Sequence, residues 1–600
     1  MNDVALVNAD GKSEPVNLTN SGYSDSRPKW VMKGNAMIWF SDREGMRSHG
    51  SWGATRDVYA MFFNEKSWDK FRLSKEEYEL LKLKEKKEDK KEKKDKKDEE
   101  YDELRVKVEV AEPVQIDILN IEDRKARLTI NSSAIADAIL TSDGEKLYYL
   151  SKFEDGYDLW VNSLKDKETK LLLKLKGGGG SMQLDKKEEN LFLFSGGKII
   201  KIKTKDSKPV KKEVQFKAEF NLNKAVERSY MFEHVWREVK EKFYRPDLGG
   251  VDWDYYKKDY KKFLPFITNN YDFAEMLSEM LGELNGSHTG SGYRHKDEHG
   301  DKTASLGVFI DWSFDGPGVK IAEIIEKSPL QKDGSKIKAG NIIEKIDDQQ
   351  IKTNTDFFRL LNHKAGKQTL LSVYDPESGK KWVETVKPIS LGQKGQLLYK
   401  RWVKNRMVET DSLSNGEIGY VHIRSMNSES FRKFYSELLG RNYGKKAIIV
   451  DTRFNGGGWL HDDLVTILSG KKYVDFYPRG VHFGYDPMNK WIKPSVVLIS
   501  ESNYSDAHGF PYAYKTLGIG KLVGMPVPGT MTAVWWETLQ DRTLYFGIPQ
   551  VGTKDLNGNY LENRQLEPDV RQRQDYEIVI KGRDQQLEKA VEVLLQNSDK

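Results

Sequence analysis

Twice in about its last 200 residues the chain runs a short apolar stretch, breaks on a small polar turn and resumes as a helix. Ala447 to Asp451 (AIIVD) leads into Thr452-Arg453-Phe454-Asn455-Gly456-Gly457-Gly458-Trp459. Ser495 to Ser500 (SVVLIS) leads into Glu501-Ser502-Asn503-Tyr504-Ser505-Asp506-Ala507-His508-Gly509, with a helix expected from Asp506 to Leu517. Apolar runs without polar alternation must be buried on both faces, which a sheet covered by helices on both sides provides. The last third is therefore expected to be an α/β layer domain. It cannot be the whole molecule, because 600 residues suggest roughly four domains.

The N-terminal third has a different rhythm. A polar turn and a short aromatic-rich strand recur at Trp30 to Phe40, Ile139 to Leu150 and Leu184 to Phe194, and Leu147 and Leu191 stand 44 residues apart. That period fits propeller blades, with an ordinary β-sandwich as the alternative. A closed propeller needs about four blades or more, so a partial propeller belonging to a longer architecture is expected. Between the first two copies, Lys82 to Glu100 alternates charge sign with no apolar residue after Leu83 and cannot build a core. It reads as a charged insert, either a solvated helix or a disordered loop.

From about Asn221 the period becomes helical, with Phe273, Met276, Leu277, Met280, Leu281 and Leu284 on one face. Asn285-Gly286 ends this helix, and Gly286-Ser287-His288-Thr289-Gly290 follows at once. Beyond it, Ala304 to Asp311 reads as a strand, a helix is expected near Asp356 to Leu361, and a last strand near Leu370 to Tyr374. Ser305-Leu306-Gly307-Val308 and Lys338-Ala339-Gly340-Asn341-Ile342-Ile343 both resemble elements of PDZ domains, in which a peptide C-terminus adds as a strand. The resulting fold class is multidomain: partial β-propeller at 1–220 with a charged insert at 74–105, helical segment at 221–295, PDZ domain at 300–392, and an α/β domain at 393–600.

Composition narrows the function. Lys+Arg 97 against Asp+Glu 92 leaves +5, too little for a dedicated nucleic-acid binder. With no cysteine there is no thiol nucleophile, disulfide framework or thiolate metal site. No apolar run approaches 18 residues and Met1-Asn2-Asp3-Val4 lacks signal-peptide features. No membrane partner and a cytoplasmic location are expected, or a periplasmic one if the chain is an N-terminally truncated secreted form.

Three glycines after the first strand allow close backbone approach to a ligand, but neither the Walker pattern nor GxGxxG is met. Ser505, between strand and helix, is placed either to present its hydroxyl beside the Asp506 N–H or simply to cap the helix. The full G-x-S-x-G elbow is absent, the flanks being Asn503 and Ala507. His295 and His299 read as an exposed linker, His508 as packing or cleft wall, and His461 with Asp462 and Asp463 as the solvated first turn of a helix.

Taken in order, these motifs resemble the tricorn family of serine peptidases, and the resemblance covers nearly the whole chain, implying that the α/β domain is catalytic and of ClpP/crotonase-like sandwich type. It implies Ser505 as nucleophile, His288 as general base and Glu562 orienting the histidine through Ser287. It also implies oxyanion donors at the N–H groups of Gly458 and Asp506, the Asp506 side chain being dispensable. Gly456 and Gly457 would line the substrate path. A gap-free match from Gly458 puts Phe476, with Asp475 beside it, where the family archetype has an acidic residue selecting basic P1 side chains, so an apolar preference is open here. The related carboxyl-terminal processing proteases use a lysine some 25 residues after the serine, yet Leu522 to Thr553 contains none. The expected activity is a peptidase cutting peptides or unfolded polypeptides through an acyl-enzyme, with no metal or other cofactor, and a homo-oligomer by resemblance. The rivals are a Ser/Lys processing protease and a non-catalytic PDZ and propeller scaffold whose hydrolase domain has decayed.

Overall fold

The computed structural model describes residues 2–46, 54–95, 114–206 and 209–598. The chain divides into two compact units, Met1–Asn221 and Leu222–Lys600.

The first unit is built from three four-stranded antiparallel meanders. They begin with the pairs Asp25–Val31 and Ala36–Ser41, Ala134–Leu140 and Lys146–Lys152, and Gly180–Leu184 and Asn190–Ser195. Each repeating phrase of the sequence falls on such a pair. The sheets pack face to face as propeller blades do: Ile38, Phe40 and Ala60 of the first meet Ala138, Leu140 and Tyr149 of the second. Tyr148, Leu150 and Leu159 on the other face of the second meet Leu191, Leu193 and Ile202 of the third. Alternation along each strand supplies the two faces. The charged insert interrupts the first blade between Asp57–Phe62 and Lys125–Arg127 and runs as a helix over Lys75–Asp95. Residues 96–105 of that expected insert lie outside the described residues.

In the second unit, the strands Ile418–His422, Ala447–Asp451, Ser495–Ile499, Lys521–Gly524 and Val570–Arg571 form a parallel sheet in chain order. Its two buried faces explain the unbroken apolar runs. Ile448, Val450, Val497 and Ile499 pack with Phe434, Leu464 and Phe510 from helices on one side. Ala447, Ile449, Val496 and Leu498 pack with Val403, Leu587 and Leu594 on the other. Asp451 stands opposite Leu498, so the Gly-rich turn and the Ser505 turn leave adjacent strands at the same carboxyl edge, where open α/β sheets place their ligands.

A second core joins the helices Lys224–Lys242 and Asn270–Gly282 to a hairpin from much later in the chain. Phe232, Val235, Leu277 and Leu281 pack on Leu544, Phe546 and Ile548. The strand Gly290–Tyr293 pairs with Leu544–Gly552, which pairs with Thr532–Thr538. This stitching carries residues 287 and 288, between helix and strand, to the α/β domain.

The PDZ region is an antiparallel sheet in the order Val308–Ile310, Val319–Ile324, Ile342–Ile346, Thr369–Tyr374, Lys381–Val386. Two expectations are corrected here. The single strand over Ala304 to Asp311 is broken at Gly307, whose φ of +71° and close approach to Ser328 turn the chain. The helix near 356–361 is only a 3-10 turn, Phe358–Leu361, and the sheet gains a strand, Lys381–Val386, after the one expected to be last. An apolar cavity of about 150 Å³ opens beside the edge strand, lined by Phe309, Trp312, Phe357, Leu361, Leu391 and Lys394. No helix among the described residues is long and apolar enough to cross a membrane.

Candidate active site

The Gly-rich turn is held by side chains that precede it. Arg453 is buried between Asp451 and Asp584, with Nη1 also donating to Gln586. Such a buried ion pair fixes one geometry for the turn that follows. Asn455 is wholly buried: its Nδ2 donates to the Ile423 carbonyl, its Oδ1 accepts from Gly457 N at 2.9 Å, and its carbonyl accepts from Tyr504 N at 3.1 Å. Asn503 reaches back the other way, donating to Thr452 Oγ1 and to the Ala507 carbonyl. The two turns are thus hydrogen-bonded into one body.

Ser505 adopts φ 56° and ψ −126° and makes no side-chain cap to the helix Asp506–Thr516 that it heads. The N-cap alternative is therefore set aside. A non-glycine residue held at positive φ where a strand meets a helix is the strained turn that exposes a nucleophilic hydroxyl. Its N–H donates to Thr530 Oγ1 at 3.0 Å, which anchors the turn from the segment that leads to the long hairpin. Ala507, where a full G-x-S-x-G elbow would have its second glycine, is helical and fully buried, so its methyl is accommodated.

Gly457 and Gly458 have φ of +95° and +142°, and a Cβ on Gly457 would fall 2.6 Å from Ser505 Cβ and 3.1 Å from Asp506 N. The Gly-rich turn therefore lies directly against the serine turn. Among the described residues neither Gly458 N nor Asp506 N donates a hydrogen bond, while Trp459 N and Met426 N bind the Met426 and Gly457 carbonyls. Two unspent N–H groups beside a serine hydroxyl are the donor pattern of an oxyanion hole. Gly456 has open space around its Cβ position.

The histidine comes from the other core. His288, at φ 63°, donates its N–H to Tyr504 Oη at 2.7 Å, and the two rings lie 4.8 Å apart. Its Nδ1 is 2.9 Å from Ser287 Oγ and 3.0 Å from Thr532 Oγ1. Ser287 Oγ donates to Glu562 Oε2 at 3.0 Å, and Ser287 N donates to Glu562 Oε1. Glu562 is buried, and burial raises its pKa above the usual glutamate value. Burial also pushes His288 down to about 4, which leaves the imidazole neutral near pH 7. With the Ser287 proton directed to Glu562, Ser287 Oγ accepts from Nδ1–H, and Nε2 is left as the basic nitrogen. No hydrogen bond joins His288 to Ser505 in this structure, among the described residues.

Thr532 is the residue sequence reasoning missed. It opens the strand Thr532–Thr538, and its hydroxyl lies 3.0 Å from His288 Nδ1, 2.9 Å from Ser287 Oγ and 3.3 Å from the Ser287 carbonyl. Nothing at Met531-Thr532-Ala533 signals this, since the partners are more than 240 residues away.

Two side-chain expectations are corrected. The Asp506 side chain is engaged rather than free: 2% exposed, its carboxylate accepts from Leu460 N, His461 N and His461 Nδ1. His461 is consequently not in a merely solvated first turn. Its pKa is raised, first by this hydrogen bond, with Asp462 and Asp463 adding to it. His508 is buried, lowered to about 4 by that burial, and accepts from Thr530 N. His295 and His299 are exposed. Asp475 and Phe476 lie on the hairpin Val474–Phe476 and Gly484–Asp486, where Asp475 pairs with Lys472 at 2.7 Å and His482 at 3.0 Å. No hydrogen bond ties either residue to the Ser505 turn among the described residues.

Residues 224–282 match the tricorn protease C1 domain, residues 317–390 the tricorn protease PDZ domain and residues 417–572 peptidase family S41. In these three segments the chain is similar to tricorn proteases and S41 peptidases. It is 28% identical over 380 residues to tricorn protease homolog 1 of Streptomyces coelicolor, covering 62% of this chain and 35% of that protein. It is 24% identical over 380 residues to tricorn protease of Thermoplasma acidophilum, covering 61% of this chain and 34% of that one. The chain therefore spans less than half the length of these curated relatives. The crystal structure of the tricorn protease matches in fold with a TM-score of 0.78 at 18% identity, covering 100% of this chain and 57% of that chain.

Proposed function

We propose that this chain is a serine peptidase that hydrolyses peptides or unfolded polypeptides through an acyl-enzyme. The observation that carries the reading is the line Glu562–Ser287–His288, tied through Tyr504 to a serine turn at φ 56° that packs against a Gly-rich turn and leaves two N–H groups unspent. Ser505 Oγ attacks the scissile carbonyl carbon as its proton passes to His288 Nε2. The imidazolium is stabilised through Nδ1–H by Ser287 and, beyond it, Glu562. The carbonyl oxygen takes up the negative charge against the N–H groups of Gly458 and Asp506. Collapse breaks the C–N bond, His288 protonates the leaving amine, and water repeats the sequence on the ester.

Side-chain selection falls to the hairpin of Asp475 and Phe476. The pairing of Asp475 with Lys472 and His482 supports an apolar rather than basic P1, with Phe476 as the contacting surface. The PDZ cavity lies beside the edge strand Val308–Ile310, where an apolar peptide end can add as a strand. The resemblance to tricorn supports a homo-oligomer. A mixed peptide library digested in parallel by the chain and by Ser505→Ala, with cleavage sites read by mass spectrometry, tests the reading. Cleavage that vanishes in the variant, with apolar P1 residues enriched, is the expected result. Equal cleavage by both proteins removes Ser505 as nucleophile, and silence from both favours the scaffold.

A further inference from the structure

The two oxyanion donors come from different turns, and their spacing must be held to a fraction of an ångström to act on one oxygen. Met426 fixes the near side of the Gly-rich turn, accepting from Trp459 N at 2.8 Å and donating to the Gly457 carbonyl at 2.9 Å. On the far side the chain passes through Leu460 into the helix His461–Leu468, whose preceding residue makes no side-chain cap. The missing cap is supplied by Asp506. Its carboxylate takes both Leu460 N and His461 N on one oxygen and the His461 ring on the other. Gly509, one turn along, leaves room for it: a Cβ there would stand 3.0 Å from Asp506 Oδ1. The residue whose backbone is one donor thus grips, with its side chain, the chain two residues beyond the other donor.

We infer that Asp506 and His461 form a positioning clamp that sets the separation of the Gly458 and Asp506 N–H groups for the transition state. The inference rests on the peptidase reading of Ser505. Neither side chain touches the reacting atoms; both act through the backbone they hold. A misplacement approaching 1 Å at a catalytic centre costs about 100-fold, so partial loosening of one donor corresponds to a loss of about 10-fold or more.

The test is the rate at which a fluorophosphonate labels Ser505 in the full chain, together with kcat and KM on a cleaved peptide and the thermal midpoint. His461→Phe keeps the ring volume and removes the Nδ1 donor. It is expected to slow labelling about 10-fold and lower kcat with little change in KM, while the protein stays folded at the assay temperature. His461→Asn, which retains a donor near Nδ1, is expected to recover most of the rate. Leu468→Ala, at the far end of the same helix, is the stability control: it should lower the midpoint without slowing labelling. Labelling of His461→Phe at the wild-type rate overturns the clamp, as does a Leu468→Ala variant slowed equally for the same loss of midpoint. Labelling that persists in Ser505→Ala overturns the peptidase reading itself, and the clamp with it.

Discussion

Gly457→Ala is the sharpest perturbation this site offers. The new methyl carbon would stand 2.6 Å from Ser505 Cβ, 2.7 Å from the Tyr504 carbonyl oxygen and 3.1 Å from Asp506 N. Carbon atoms in contact prefer about 3.5–4.0 Å, so the serine turn has to retreat by about 1 Å. Backbone and Cβ atoms cannot rotate aside as the tip of a long side chain can. At φ +95° an alanine also carries strain of about 1–2 kcal/mol, and overpacking adds about 1–3 kcal/mol. The stability loss is thus about 2–5 kcal/mol, and the displaced nucleophile should lose about 100-fold in kcat/KM. Steady-state kinetics on one fluorogenic peptide, with a thermal melt on the same sample, provides the assay. Gly456→Ala is the comparison: with open space at its Cβ it should keep kcat and the midpoint, and any change should appear in KM. A Gly457→Ala enzyme within twofold of wild type in kcat/KM would refute the packing of the two turns described above.

Two further outcomes follow from the histidine side. Because burial holds His288 at about 4, its neutral form persists below neutrality, so kcat/KM should stay level from pH 8 to about 5 and fall only toward pH 4; an acid limb near 6.5 contradicts this. His508 is also lowered to about 4. An unfolded histidine takes its proton near 6.5, so stability is lost as pH falls from about 6.5 to 4, roughly 3 kcal/mol for the well-buried His508 and less for His288, whose ring solvent partly screens. Denaturant melts should show that slope, and His508→Asn should flatten part of it. Thr532→Val removes the hydroxyl 3.0 Å from His288 Nδ1 and should lower kcat about 5- to 20-fold, with Thr532→Ser retaining most activity. A Thr532→Val enzyme with unchanged kcat would show that Ser287 alone orients the ring.

The sequence disclosed elements whose signal is local. AIIVD and SVVLIS are unbroken because both faces of their sheet are covered, and the 273–284 periodicity falls mainly on a helix burying Phe273, Leu277 and Leu281. Ser287, His288 and Glu562 were named through family resemblance; no spacing rule links a histidine to a glutamate 274 positions later. What was missed depends on tertiary approach. Thr532 has no marker in its neighbours, because it is aligned by a hairpin pairing with Gly290–Tyr293. The Asp506 side chain has no role in a reading that assigns only its backbone N–H, because the helix start it caps belongs to another segment, 45 residues earlier. The break at Gly307 and the short turn at Phe358–Leu361 were hidden because apolar runs do not reveal where a strand bends or a helix fails to extend.

The proposed mechanism requires His288 Nε2 and Ser505 Oγ to serve one reacting carbonyl, although no hydrogen bond joins them in this structure. A peptidyl chloromethyl ketone reads this directly, since serine adds to its carbonyl while the neighbouring imidazole is alkylated at the adjacent carbon. Intact mass and peptide mapping should show one adduct per chain, with alkylation at His288, and the reaction should collapse in Ser505→Ala. Alkylation at another histidine, or undiminished alkylation of His288 in Ser505→Ala, would contradict the account.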